Sequence, residues 1–347
     1  MPPAIQYDDL PDAVEMTLDN LDKGKWIGAM TDLQKHVGFN ELVKNKREKR
    51  DMGKGIKVRF VTDHNDSAEH VGLYNSVEYK RDNNITSGRI PWRFTEGHMA
   101  WDELEDDINS GAAALVDAVA MEKAAMETSI VELCEEAAWS KPDTSDDNKT
   151  PFGIPYWVVQ HATLGYYGGN PSGFSSGRAG ISSTTYPRLR NYTGAYSTYG
   201  DGSSTALIYM MEKATYETAW TPPAPEPGNQ RSGYGKGIFT TWTVKMNLKN
   251  QAKNNNDNLG YDLAAKEPVY RGSTLQAVPY LDQHTSNNPM YILNFDFINA
   301  VFLKDWFKKR SKPRRLSNQP HVIAVDSTMA WNIECKDWRR QTVFYAA

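Results

Sequence analysis

The stretch DELEDDINSGAAALVDAVAMEKAAMETSIVELCEEAAWS, Asp102 to Ser140, decides how the rest of the chain is read. Ile108, Ala112, Leu115, Val119, Met126, Ile130, Leu133 and Ala137 recur at helical spacing, so one apolar stripe runs its length. No Pro interrupts it, and its single glycine, Gly111, falls near the start. At 1.5 Å per residue a helix over 102–140 spans roughly 55 Å, about three times the mean helix of a globular domain. Glu103, Glu105, Asp106 and Asp107 crowd its first turns, where aligned amide dipoles favour negative charge. That placement accounts for these acids more simply than a glycosidase carboxylate pair would. Lys141-Pro142 and the acidic turn Asp143 to Asn148 close the helix.

Upstream, residues 1 to about 43 are acidic at first and then carry a short amphipathic segment of Trp26, Ile27, Met30, Leu33 and Val37. This segment is too short for a core and reads as an arm that docks elsewhere. Lys44 to Lys57 is basic. Ile56 to Thr62 alternates and is β-branched, which predicts a strand, with a second possible strand at Val71 to Tyr79. Ile90, Trp92 and Phe94 then alternate with Pro91, Arg93 and Thr95. Residues 54–100 therefore form a β-excursion with too few apolar residues to fold alone.

Downstream, a middle region dense in Gly, Ser and Tyr runs to Gly202, and Ser203 or Ser204 can cap a helix bearing Leu207, Met210, Met211, Ala214 and Thr218. Pro222 to Pro227 reads as a stiff connector and Asn254 to Asn258 as a loop, with a helix predicted from Thr240 to about Asn254. From Pro268 the chain turns β-rich, with strands at Met290 to Ile298, Ala300 to Leu303, His321 to Val325, Met329 to Cys335 and Gln341 to Tyr345. The basic run Lys304 to Arg315 interrupts them. The class is α+β.

With 347 residues the chain can bury a large core, and its net charge of −4 argues against nucleic-acid binding by bulk charge. Ten Trp and 18 Tyr beside only 39 % hydrophobic residues suit a protein with much interfacial surface, or a carbohydrate-active enzyme or binding module. The two cysteines, Cys134 and Cys335, form no metal or disulfide framework, which fits a reducing compartment. The N-terminus lacks the pattern of a signal peptide, and no apolar run approaches a membrane span; no membrane partner is expected.

The chemistry is thin. His36, His64, His70, His98, His161, His284 and His321 are scattered, with no HExxH pair. His64 and His70 with Asp63, Asp66 and Glu69 read as a solvated turn rather than a cation site. No P-loop or dinucleotide fingerprint occurs, and Gly165 to Gly169 lacks the strand-to-helix context a phosphate cradle needs. No catalytic residue, cofactor or metal is expected. Charge comes in blocks: acidic at Asp8 to Asp22, Asp102 to Asp107 and Asp143 to Asp147, basic at Lys44 to Lys57 and Lys304 to Arg315. Blocks of unlike sign are expected to meet between copies of the chain, setting geometry more than affinity.

The order of parts resembles the tailed-phage major capsid proteins of the Hong Kong 97-like fold. Local stretches agree: Gly153-Ile154 after the helix, Pro268-Val269-Tyr270-Arg271-Gly272 with Val278-Pro279 entering the last third, Ile292-Leu293-Asn294-Phe295-Asp296, and the ending Trp331 to Phe344. The resemblance implies an N-terminal arm (1–53), an extended β-loop (54–101) and a spine helix in a peripheral-domain segment (102–150). An axial domain (151–279) and returning strands (280–347) that complete the peripheral and axial core follow.

It further implies a shell of pentamers and hexamers enclosing double-stranded DNA contacted non-specifically, with a portal and a possible decoration protein, in the virion and, during assembly, the host cytoplasm. Only about fifty residues precede the loop, so the helical scaffolding segment of many relatives has no room and a separate scaffolding protein is implied. Contacts between subunits are expected from Trp26, Met30, Arg47, Arg50, Lys54, Val58, Phe60, Val77, Tyr79, Ile90 and Trp92. Some relatives cross-link a loop Lys to an Asn; Lys54, Lys57 and Lys80 read here as solvated. An encapsulin-like compartment protein would share the fold and differ in holding protein cargo.

Overall fold

The computed structural model describes residues 37–45, 47–50, 53–62, 70–73, 85–102, 118–200, 202–218, 236–254, 268–271 and 273–347. They fall into two compact units. The larger draws on Lys35–Phe94, Cys134–Phe307 and Ala330–Ala347, the smaller on Thr95–Leu133 and Lys308–Met329.

The larger unit holds a seven-stranded sheet of order β5-β6-β15-β10-β7-β9-β8. Its strands are β5 (Gly165–Gly168), β6 (Asn191–Tyr196), β7 (Lys236–Thr240), β8 (Val269–Tyr270), β9 (Ser273–Ala277), β10 (Met290–Asn294) and β15 (Thr342–Ala346). Every residue of β10, MYILN, is buried, which requires cover on both faces of the sheet. On one face Met290 and Ile292 join Leu207, Met210, Met211 and Ala214 of the helix Leu207–Thr218, and Val244 and Leu248 of the helix Trp242–Asn254. On the other, Tyr291 and its cross-strand neighbour Phe239 pack against Trp139, with ring centroids 5.7 and 5.4 Å away. The period of two in a strand sends alternate residues to these two covers.

β10 and β15 come from the returning segment and pair side by side within this sheet, β10 at its centre. The rest of the return builds a second ladder: β11 (Ile298–Leu303) runs antiparallel to the end of β14 (Gln319–Cys335), Ile298 opposite Cys335 and Phe302 opposite Trp331. The two strands expected at His321 to Val325 and Met329 to Cys335 are thus one. On the far side of β11 lies β1 (Arg47–Arg50), parallel, Arg47 opposite Ala300.

Residues 37–45 and 47–50, within the expected arm, are therefore packed against the body of the chain. The helix α1 (Val37–Asn45) is fixed at its start by a carboxylate from elsewhere. The amides of Gly38 and Phe39 donate to Glu135 at 2.9 and 2.7 Å, and Trp139 Nε1 donates to the same group at 2.8 Å. Orphan amides at a helix start are thereby satisfied, with a negative charge where the dipole favours one. Gly38 has no alternative, since a Cβ there would meet Trp139 Nε1 at 2.4 Å.

The long helix is described over Ala118–Trp139, 22 residues or roughly 33 Å. Asp102 closes the strand β4 (Arg93–Asp102) and does not open the helix; Ile108, Ala112 and Leu115 lie outside the described residues. Met126, Ile130, Cys134, Ala137 and Ala138 are buried, while Leu133 is exposed, so Cys134 takes the inward place expected of Leu133. In the smaller unit Met126 and Ile130 lie over Gly97 of β4, where a Cβ would meet Ile130 at 2.8 Å.

Candidate assembly surfaces

The β-excursion forms a hairpin of β2 (Ile56–Val61) and β3 (Ile85–Ile90), antiparallel, with Ile56 opposite Ile90 and Val61 opposite Ile85. The second strand is this one and not Val71 to Tyr79; Val71 to Leu73 form no strand and 74–80 lie outside the described residues. Its inward face is Ile56, Val58, Phe60 and Ile90, all buried in the same chain, with Phe60 against Trp338 at 4.9 Å. Its outward face is Lys57, Arg59 and Arg89, ending in the apolar pair Val61 and Ile85, 51 % and 66 % exposed.

The hairpin is seated by a polar knot. Arg89 N donates to Ala179 O at 3.0 Å, and a Cβ on Gly88 would meet that oxygen at 2.9 Å. Ala179 N in turn donates to Tyr156 Oη at 2.8 Å, a phenol that burial pushes up to about 12. The neighbouring Arg178 is fully buried, its Nη2 donating to Gly168 O, Gly169 O and Asn191 Oδ1 while its guanidinium lies 5.0 Å over Trp338. Burial draws its pKa down to about 10, so it stays charged at neutral pH. Three oxygens at Nη2 and an aromatic face stand in for part of the water it lost, while its buried Nε and Nη1 make no hydrogen bond. Gly165 to Gly168 of the Gly-rich stretch is the edge strand β5 beside this knot, paired with β6.

After Pro91 the phase of the alternation inverts. Arg93 and Thr95 point inward and Phe94 outward at 64 % exposure. Arg93 donates to Asp147 O at 2.6 Å and lies over the Phe152 ring, and burial lowers its pKa although Asp147 opposes the shift. Asn332 ties the same region together, its Oδ1 accepting from Phe152 N and Ile333 N and its Nδ2 donating to Pro91 O, each at 2.8 Å.

The residues expected to meet a neighbour therefore separate. Val58, Phe60 and Ile90 are spent on the chain's own core, because strict alternation in a half-buried hairpin turns its apolar side to the nearest core. Trp92 is half-buried and donates to Gly53 O at 3.0 Å; Lys54 is exposed at the hairpin's entry. Arg47 and Arg50 sit on β1, with only their backbone described. Trp26, Met30, Val77 and Tyr79, like His64, Asp63, Asp66 and Glu69, lie outside the described residues. Arg59, Arg89 and Ile85 are exposed on the hairpin's outer side and were not among the residues expected to meet a neighbour, although the alternation that buries Val58 and Phe60 exposes Arg59.

No protein-family model matches the sequence, and no curated protein does. Solved structures do. The chain is similar to the capsid protein of cyanophage A-1(L) at 15 % identity, over 93 % of this chain and 96 % of that one, with a TM-score of 0.64. The fold is the Hong Kong 97-like capsid fold. It is similar too to the capsid protein of a native GTA particle (11 % identity, 95 % and 96 % coverage, TM-score 0.56). A chain of the solved structure of Gordonia phage Cozz matches at 11 % identity, 100 % and 98 % coverage and a TM-score of 0.54. At these identities the likeness is one of fold, and no side chain carries over.

Proposed function

We propose that this chain is the major capsid protein of a tailed double-stranded DNA phage, self-assembling into an icosahedral head shell. The observation that carries the reading is a whole-chain match in fold to capsid proteins, 93 % of this chain on 96 % of a cyanophage capsid protein. The mechanism is mechanical: each subunit makes several modest, largely polar contacts, and closure multiplies them. Pentamers and hexamers are the assembling units, with a separate scaffolding protein, a portal, a possible decoration protein and non-specifically held DNA as partners.

Within a shell, the outward hairpin face of Lys57, Arg59, Arg89, Val61 and Ile85 lies against a neighbouring copy, and Lys54, Trp92, Arg47 and Arg50 flank it. The arm residues Trp26 and Met30 pack beneath a neighbour, and Val77 and Tyr79 extend the loop's contact. Negative-stain electron microscopy with size-exclusion chromatography tests this. Closed shells or rings of five and six are expected; a monomer or dimer that persists with a scaffolding partner present refutes it.

A further inference from the structure

In the smaller unit, β12 (Lys309–Arg310) and β13 (Arg314–Leu316) lie along the first half of β14, with Lys309 opposite Thr328 and Arg315 opposite Ile323. Ser311 joins the ladder between them, its amide donating to Asp326 O at 2.8 Å and its hydroxyl accepting from Asp326 N at 2.9 Å. The segment 308–328 is thus an irregular two-stranded ribbon turning at Ser317 and Asn318. Six of the eight residues from Lys308 to Arg315 are Lys or Arg, and Asp326 is the ribbon's single acid. Arg314 meets Asp326 at 2.5 Å, and Arg310 pairs with Glu127 of the long helix. Lys309, Arg310, Lys312, Arg314 and Arg315 are exposed.

We infer that this ribbon is the surface through which the chain holds the phosphate backbone of duplex DNA. The inference rests on the shell reading above. A few cations suffice to protect a sheet edge from unwanted pairing, so six in eight positions exceed that need. A protein partner is disfavoured by composition: interface cores are poor in Lys and rich in aromatic anchors, and no apolar side chain other than Pro313 lies between Lys308 and Arg315. Dense Lys and Arg without anchors is the footprint of phosphate binding. The net charge of −4 does not oppose this, because the positive charge is concentrated on one ribbon and the rest of the chain is correspondingly more negative.

The test is fluorescence anisotropy of a labelled duplex with the full chain, between about 50 and 200 mM salt. The triple variant Lys309→Gln, Lys312→Gln, Arg315→Gln leaves three phosphates without a cation, which should reduce the slope of log K against log salt by about 2.7. The control Lys149→Gln, Lys213→Gln, at exposed cations outside both the ribbon and the hairpin, keeps the parent's slope. Should the triple variant not fold, Lys309→Glu alone, against Lys309→Arg, gives the same sign of change at one phosphate. A folded triple variant with the parent's slope overturns the inference. If that variant also loses shells in the absence of DNA, the ribbon's partner is an acidic segment of another copy. Parent shells with a ribbon-independent slope sink this inference alone, whereas absence of parent shells sinks the capsid reading.

Discussion

Removing the carboxylate of Glu135 should loosen the first helix from the body of the chain. Glu135 is buried at 5 % exposure and accepts from three donors, Gly38 N, Phe39 N and Trp139 Nε1. Glu135→Leu keeps the volume and leaves all three donors facing an apolar group. A buried donor without a partner costs about 1–3 kcal/mol, so the loss should reach at least about 3 kcal/mol after some relaxation. Glu135→Gln retains one carbonyl oxygen but turns an NH2 towards a second donor. It also removes the charge from the helix start, for a loss of about 1.5–3 kcal/mol. The order is parent, then Gln, then Leu.

Denaturant unfolding followed by tryptophan fluorescence measures the loss, and Trp139 lies at the site. Amide exchange of Gly38 to Leu42 gives the local effect: protection should fall in both variants, further in Leu. Suppose the Leu variant unfolds within about 0.5 kcal/mol of the parent and Gly38 and Phe39 stay protected. The carboxylate would then be an incidental neighbour, and some other contact would hold the helix.

Three further outcomes are expected. Gly38→Ala should destabilise by about 2 kcal/mol or more, because the new methyl meets the Trp139 indole at 2.4 Å, and a thermal scan reads it. Asn332→Ala strands the amides of Phe152 and Ile333 and the carbonyl of Pro91, so its unfolding midpoint should drop by the equivalent of about 2–4 kcal/mol; an unchanged midpoint would contradict the burial of that network. Cys134 and Cys335 are fully buried, and burial pushes the Cys335 thiol above its usual range, so neither should react with iodoacetamide until the chain unfolds, as mass spectrometry before and after denaturation will report.

The periodic elements were legible in the sequence because burial imposes a pattern. The alternation of Ile56, Val58 and Phe60 gave a strand, and Leu207, Met210, Met211 and Ala214 gave a helix, each face as expected. Partnership was less legible. Arg93 and Phe94 exchange faces because Pro91 breaks the ladder between two strands, a shift of phase that composition does not record. Leu133 and Cys134 differ by one position on the helix, where several apolar choices fit a stripe equally well. Glu135, Arg178 and Asn332 hold the fold together yet read as ordinary polar residues, since their partners are distant in sequence. Val58, Phe60 and Ile90 illustrate the same limit: apolar residues in an excursion suggest a neighbour, but the chain's own core has first claim on them.

That priority bears on how a shell of this protein would hold together. The apolar side of the hairpin is spent within the subunit, so what it offers a neighbour is cationic along Lys57, Arg59 and Arg89 and apolar only at the cross-strand pair Val61 and Ile85. Exposed ion pairs contribute about 0.2–1 kcal/mol each and are screened beyond about 8 Å at physiological salt. They therefore steer encounter, while a desolvated apolar pair resists separation. Lys57→Glu with Arg59→Glu should slow assembly and blunt its salt dependence, leaving the monomer's unfolding midpoint unchanged. Val61→Ser with Ile85→Ser should leave the initial rate of assembly nearly intact but let finished shells dissociate at lower denaturant. Light scattering during assembly and during urea titration separates the two. Equal effects of both pairs on both quantities, or none on either, would remove the hairpin's outer face from the contact and point to the segments that flank it.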